Sequence, residues 1–228
     1  KSPCYANGLK KLVTNGQLDE RKINEAVWRV LSLKNELGLF EDPYFGSSIE
    51  REKKSVLSQD KREVARKLAE EAIVLLQNKD HALPLEKSEK IALIGPYSEE
   101  HSLLGMWAVH GDSKDSISIA EGMQRYIPNI PIAKGTDISR NRKMLEEMGF
   151  FSEKQIDQMI SSEEVEKENN KAAIELAKKS DTVVLAMGEN ALEAGEAGAK
   201  TNLCLPKNQL ELIDKISKLG KKVILLII

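Results

Sequence analysis

The sequence has few aromatic residues, few cysteines, no long apolar run and no excess of charge of either sign. Aromatic residues make up only 4% of its 228 positions. No run of about 18 apolar residues, the length of a transmembrane helix, occurs. Lys and Arg number 34 against 36 Asp and Glu, so no net electrostatic field favours nucleic acid or an anionic membrane as a partner.

The two cysteines, Cys4 and Cys204, lie far apart in the sequence. They show neither the close spacing of a zinc site nor the density of a disulfide scaffold, and we interpret them as free thiols. What is present is enough apolar sequence, 41% of the residues, to bury a core. The sequence begins without Met and ends within the apolar run VILLII, which we interpret as a fragment of a longer chain.

Two helices are predicted in residues 1–40. Pro3 is typical of a first helical position, and Gly16 of a helix end. Asp19 is a good N-cap for a second helix, whose wide apolar stripe ends at Gly38. No sheet is predicted beside these helices, so the hairpin is interpreted as the end of a preceding domain. Residues 41–58 carry turn residues without sustained periodicity and are predicted to be an interdomain linker.

Residues 59–228 alternate between helical and strand patterns. The predicted elements are a helix near 60–77, a strand at 90–94, a helix near 117–126, a strand near 130–133, helices over about 140–179, a strand at 182–187, a helix at 207–219 and a strand at 222–228. This alternation predicts an α/β fold, a three-layer sandwich with a mostly parallel sheet. Continuous apolar runs such as VILLII are typical of strands covered on both faces. The polar segment 138–170 is predicted to be a solvated helical insertion.

Three carboxylates follow the apolar strand TVVLAM on a Gly-rich segment: Glu189, Glu193 and Glu196. Ligands collect outside the carboxyl ends of parallel strands, where loop side chains converge on a rigid sheet. Glycosidases need one carboxyl group to protonate the leaving oxygen and a second to act at the anomeric carbon, and this segment could supply the acid. A solvated surface carboxylate is the commoner outcome for a loop Glu, so residue type alone leaves both interpretations open.

Three segments in order along the chain carry a family resemblance: AVWRVLSLKNELGLFEDPY, VARKLAEEAIVLLQNKDHALPL and KIALIGPYS. Together they resemble the middle of a glycoside hydrolase family 3 β-glucosidase, and the likeness covers nearly the whole chain. It implies that residues 1–40 are the last helices of a (β/α)8 barrel and 41–58 the interdomain linker. Residues 59–228 would then be an α/β sandwich domain, incomplete at its C-terminus. The implied activity is retaining hydrolysis of terminal β-linked sugars by double displacement.

The resemblance assigns the general acid/base to Glu196. The family has a basic residue and a Leu-x-Leu-Pro sequence shortly after that Glu, and here Lys200 and residues 203–206 match them. Glu193 is the rival acid, and Glu189 is expected to be structural. Lys200 stands where the family usually has Arg, and Asn202 where it often has Asp. A Lys cannot make the planar bidentate contact of Arg, so the loop is expected to be held differently.

The resemblance also places the segment Gly105–Met106–Trp107 at the sugar site, with Trp107 and His110 as candidate substrate-binding residues. Against this, a lone Trp is more often a core residue and a loop His more often an ordinary polar residue. The family nucleophile is an Asp in a Ser-Asp-Trp-like segment of the barrel, and this sequence contains no such segment. The chain alone is therefore expected to be inactive.

The implied partners are a β-linked glucoside or oligosaccharide and the barrel domain, with β-xylosides also possible substrates, and no metal or organic cofactor is implied. Two other functions are alternatives. A non-catalytic carbohydrate-binding or scaffolding module stays open. A flavodoxin-like nucleotide or phosphate binder is disfavoured, because neither G-x-G-x-x-G after a strand nor G-x-x-x-x-G-K-[ST] occurs to cradle a phosphate.

Overall fold

A computed structural model describes residues 3–86, 88–105, 108, 111–149, 151–191, 193 and 200–228. The chain consists of two compact units, Lys1–Leu76 and Gln77–Ile228. The domain boundaries after residues 40 and 58 rest on sequence pattern and family resemblance rather than on compactness, and they stay predictions.

The first unit is helical. Its helices are α1 Pro3–Thr14, α2 Glu20–Glu36, α3 Ile49–Ser55 and α4 Gln59–Ala72. Asp19 caps α2 by accepting a hydrogen bond of 2.9 Å from the backbone N–H of Arg21, as its position before the apolar stripe predicts. No residue of α2, α3 or α4 is buried. The apolar stripe of α2 is therefore uncovered within this unit, and Trp28 is 71% exposed.

Two details of this unit correct the sequence prediction. The segment interpreted as a linker contains the two-turn helix α3, whose N-cap Ser48 accepts from the backbone N–H of Arg51. This helix is marked by capping and by charge placement, with acidic residues in its first turn and basic residues in its last, rather than by apolar periodicity. The helix predicted to reach residue 77 ends at Ala72, because the β-branched Ile73 adopts an extended backbone.

The second unit is built on a four-stranded sheet with all strands parallel. Its strands are β1 Ile91–Ile94, β2 Ile132–Ala133, β3 Thr182–Met187 and β4 Lys222–Ile227, in the spatial order β2-β1-β3-β4. The helices of this unit are α5 Ile119–Gln124, α6 Arg142–Met148, α7 Glu153–Met159, α8 Glu163–Lys178 and α9 Lys207–Ser217.

Helices cover both faces of this sheet. On one face Ile94 and Leu185 pack with Ala173 of α8 and Leu212 of α9. On the other face the alternate strand residues pack with α5 and the segment after it, forming a second apolar cluster. Because side chains alternate along a strand, β1 and β3 contribute to both clusters. The predicted α/β sandwich with a parallel sheet is confirmed.

Two predictions about burial in this unit are wrong. The run VILLII is expected to be covered on both faces, yet Leu225 is 41% and Ile227 57% exposed, and β4 is the outermost strand of the described sheet. The segment 138–170 was expected to be a solvated decoration. Leu145 of α6 and Ile156 of α7 are instead almost fully buried, so this segment contributes to the packed structure. Within the described residues no helix is long and apolar enough to cross a bilayer.

Candidate functional site

The candidate site lies where β1 and β3, neighbours in the sheet, reach their carboxyl ends. From β1 the chain crosses to β2 on one side, and it then returns to form β3 on the other side. The strand order therefore reverses between β1 and β3. In open parallel sheets such a switch point is where ligands bind.

The turn after β1 packs very closely against the end of β3. Gly95 has φ +140°, and a Cβ atom there would lie 2.1 Å from the backbone oxygen of Ala186 in β3. The approach lets the backbone N–H of Tyr97 donate to that same oxygen, at 3.3 Å. The Tyr97 hydroxyl in turn donates to the backbone oxygen of Glu189. Only glycine at position 95 allows the turn after β1 to come this close to β3 and to make these hydrogen bonds.

Tyr97 acts in this site as a neutral hydrogen-bond donor. Burial, followed by the negative charges of Glu100, Glu193 and Glu189, raises the pKa of its phenol to about 12. The phenol therefore keeps its proton throughout the neutral range, and its hydrogen bond to the loop after β3 persists there.

Lys200 joins two of the three carboxylates on the segment after β3. Its ammonium group forms a close ion pair with Glu189 Oε1 and lies 3.4 Å from Glu193 Oε2. The Glu193 side chain is only 11% exposed, and its other oxygen lies 3.5 Å from the hydroxyl of Ser139 in the loop after β2. The hydrogen bond to Glu189 is the main cause that raises the pKa of Lys200. Lys200 is therefore charged and holds the two ends of residues 193–200 to the start of the loop.

Gln209, in the first turn of α9, is fully buried beside this loop. Its side-chain amide bonds to the backbone N–H and C=O of Gly188 and to the backbone oxygen of Ile138. The sequence analysis missed Gln209, Tyr97 and Ser139. A Gln in a helix and a Tyr three residues after a strand carry no local signal of such contacts, because their partners are distant in the sequence.

A groove of about 650 Å³ opens beside the ion-paired residues. It is bounded by the loop after β2, by the segment 200–206 and by the first turns of α9, and its polar lining includes Asn141, Asn202 and Asn208. The side-chain NH₂ group of Asn208 already donates hydrogen bonds to Thr136 and to the backbone oxygen of Asp137. Across the described ranges, no three His, Cys, Asp or Glu side chains are grouped so that they could hold a metal ion.

The residues predicted from sequence are only partly within the described chain. Glu189, Glu193 and Lys200 are described and lie together, and Asn202 lines the adjoining groove. The candidate acid/base Glu196 and the candidate sugar-binding residues Trp107 and His110 lie outside the described residues. Their roles stay predictions.

Comparison with known proteins gives consistent matches over the whole chain. It is similar to the Periplasmic beta-glucosidase of Salmonella typhimurium, with 29% identity over 98% of this chain and 30% of that protein. It is 31% identical to a Beta-xylosidase of Formosa agariphila, over 98% of this chain and 29% of that protein. Among solved structures, a variant β-glucosidase from Listeria innocua in complex with laminaribiose matches with a TM-score of 0.78 and 35% identity, over 99% of this chain and 28% of that one.

The chain thus spans less than a third of the length of these relatives. The sequence profile of the Glycosyl hydrolase family 3 C-terminal domain matches residues 73–228, a region that contains the entire sheet and the candidate site. Since this match extends over more than half of the chain, the chain belongs to glycosyl hydrolase family 3 and carries the family's C-terminal domain.

Proposed function

We propose that this chain is part of a retaining β-glycosidase of the β-glucosidase type, and that its loop after β3 supplies the general acid/base, Glu196. Family membership and the names of the relatives support the activity. The position of the loop at the switch point of the sheet supports its role, because a ligand bound there lies next to the carboxylates. β-Linked glucosides are the proposed substrates, with β-xylosides as the second class that the relatives' names suggest.

The observation that narrows the choice of acid is the pairing of Lys200 with both Glu189 and Glu193. A general acid must deliver a proton to the glycosidic oxygen, and a carboxylate already held by an ammonium group is committed as an acceptor. Glu193 is also largely enclosed, with Ser139 on its other side. These contacts disfavour Glu189 and Glu193 as the acid. The choice of Glu196 itself rests on the family resemblance, in which the acid precedes a basic residue and a Leu-x-Leu-Pro sequence.

The proposed reaction has two steps that use the same residue. In the first, the Glu196 carboxyl transfers its proton to the glycosidic oxygen as the bond to the anomeric carbon breaks. The aglycone leaves as an alcohol, and an Asp of the barrel domain becomes bonded to the sugar. In the second, the Glu196 carboxylate takes a proton from water, whose oxygen bonds to the anomeric carbon and releases the Asp. Because the nucleophile is not in this chain, the chain alone is expected to show no turnover.

The proposal is tested in the full-length enzyme with Glu196→Gln and, as the matched variant, Glu193→Gln. On an aryl β-glucoside with a poor leaving group, Glu196→Gln is expected to lower kcat/KM by about 10²- to 10⁴-fold, the usual contribution of general acid catalysis. On a highly activated aryl glucoside, which needs no protonation to depart, azide is expected to restore turnover and to give a β-glycosyl azide.

The acid would be reassigned to Glu193 if Glu193→Gln, and not Glu196→Gln, showed the steep dependence on the leaving group and the rescue by azide. An enzyme that releases the α-anomer first would contradict the retaining mechanism. A full-length protein without any glycosidase activity would contradict the proposal and favour a carbohydrate-binding or scaffolding module.

A further inference from the structure

We propose that Gln209 is a positioning residue that fixes the backbone at the start of the loop after β3 and thereby orients the acid/base carboxyl group. This inference rests on the proposed function of that loop. Gln209 itself is fully buried and lies in the helix α9, so it is not placed among the reacting groups.

The first support is the way in which Gln209 continues the sheet beyond its end. On the β4 side, the backbone of Met187 and Glu189 bonds to Ile228. Gly188 lies between them, so its N–H and C=O point to the opposite side, where β1 no longer pairs with β3. Gln209 occupies that side. Its Oε1 accepts from the Gly188 N–H at 2.9 Å, and its Nε2 donates to the Gly188 oxygen at 2.7 Å.

The second support is a third hydrogen bond that reaches the loop after β2. Gln209 Nε2 also donates to the backbone oxygen of Ile138, at 2.6 Å. The next residue, Ser139, carries the hydroxyl that lies 3.5 Å from Glu193. One buried side chain therefore ties together the two loops that enclose Glu193.

The third support is that the buried amide is fully used. Its oxygen accepts one hydrogen bond and its NH₂ group donates two, so each polar atom of the Gln209 side chain has a hydrogen-bond partner. An apolar side chain of the same length would leave the Gly188 N–H, the Gly188 oxygen and the Ile138 oxygen without this partner. Buried backbone groups do not tolerate such a loss, and the loop would move to find other partners.

The consequence for catalysis follows from the short path along the chain. Gly188 is bonded to Glu189, whose carboxylate meets Lys200, and Lys200 also meets Glu193. A shift of Gly188 therefore moves the anchor points on both sides of the acid. A misplacement of about 1 Å can cost about 10²-fold in rate, and the penalty falls on the step that needs the proton.

The test compares Gln209→Met with Thr182→Val in the full-length enzyme. Thr182 is a matched control, because it is also fully buried and hydrogen-bonded, to Glu89, but lies at the opposite end of β3. The readout is kcat/KM across aryl β-glucosides whose leaving groups differ in pKa. We expect Gln209→Met to lose about 10²-fold on poor leaving groups and much less on activated ones, and Thr182→Val to keep the wild-type dependence.

An equal loss on all leaving groups in Gln209→Met would overturn the inference, because it would indicate a lower folded fraction or a general defect. The variant Glu196→Gln separates this from failure of the proposed function. If Glu196→Gln shows the steep leaving-group dependence and Gln209→Met does not, only the role of Gln209 is wrong. If Glu196→Gln lacks it, the assignment of the acid is wrong.

If Gln209→Met does not fold, Gln209→Glu takes its place in the same series. A carboxylate keeps the shape of the side chain and the acceptor for the Gly188 N–H, but it has no donor for the oxygens of Gly188 and Ile138. The same selective loss on poor leaving groups is expected. A wild-type dependence in this variant, with a wild-type thermal transition, would contradict the inference.

Discussion

At the residue scale, a buried charge near the site is held both by its neighbours along the chain and by a residue distant in the sequence. Asp137, after β2, has a side chain that is only 1% exposed. It accepts hydrogen bonds from Lys134, from Arg140 and from the backbone and hydroxyl of Ser161. It thus fastens the chain between α7 and α8 to the end of β2. The sequence offered no means of pairing Asp137 with Ser161, since neither residue stands in a periodic pattern.

We expect Asp137→Asn to destabilise the protein by about 3 kcal/mol, because removing one partner of a buried ion pair leaves uncompensated charge and polar groups. Burial tends to raise the pKa of Asp137, but the hydrogen bonds from Lys134 and Ser161 outweigh it and hold the pKa below its ordinary value. A carboxyl group with a lowered pKa in the folded state stabilises that state above its unfolded pKa, and the contribution is lost as the pH falls.

The pH dependence gives the measurement for this prediction. Urea unfolding from pH 7 down to pH 3 is expected to show that the difference between wild type and Asp137→Asn narrows below about pH 4, near the ordinary pKa of Asp. Glu175→Gln is the control, because its contact with Lys178 lies on the exposed surface of α8. A constant difference down to pH 3 would show that the Asn variant loses packing rather than charge.

At the scale of elements, the sequence predicted β1, β3 and α9 closely, since apolar runs and an amphipathic stripe are local properties. It missed α3, and it extended α4 too far. The loop contacts were beyond a prediction from pattern, because they depend on which strands become neighbours. Glu189, Glu193 and Lys200 could be predicted as a cluster from their spacing on one segment, whereas Tyr97 and Gln209 come from other elements.

The close approach of the turn after β1 to β3 predicts a strong effect of Gly95→Ala. The added Cβ would collide with the backbone of Ala186, and the φ of +140° disfavours any L side chain. We expect a loss of about 3 kcal/mol or more in the free energy of unfolding, the sum of backbone strain and overpacking. Urea denaturation monitored by circular dichroism provides the measurement.

The matched control is Gly122→Ala in α5. Apart from its own chain neighbours and the helix backbone, no atom lies within 4 Å of the position that its Cβ would take. Ala in a helix is favoured over Gly by about 0.5 to 1 kcal/mol, so this variant is expected to be slightly more stable than wild type. Similar stabilities for the two variants would mean that the strand and the turn separate more easily than the structure indicates.

At the scale of the whole molecule, the buried core is unevenly distributed. In the part of the chain that the structure describes, every buried apolar residue lies between Ile91 and Ile216, within the second compact unit. The first unit consists of helices with exposed apolar stripes. Helices of their length are marginal in water without a packed face.

We therefore expect residues 77–228, expressed alone, to unfold in one cooperative urea transition with a helix and strand signal in circular dichroism. Residues 1–76 alone are expected to show weak helicity that fades gradually with urea, because they have no buried core of their own. A cooperative transition in the 1–76 segment would contradict this expectation. So would a gradual loss of structure in the 77–228 segment.

The sequence by itself determined the class of the fold, the positions of the main strands and helices, the family, and the segment that carries the carboxylates. These follow from local apolar patterns and from short sequence motifs, which can be recognised without knowing the contacts between distant residues. Only the tertiary structure decided that β1 and β3 are neighbours, and that Gln209 and Tyr97 hold the loop. The physical reason is that strand order and buried hydrogen bonds depend on contacts between residues far apart in the sequence, where each polar group must find its partner on folding.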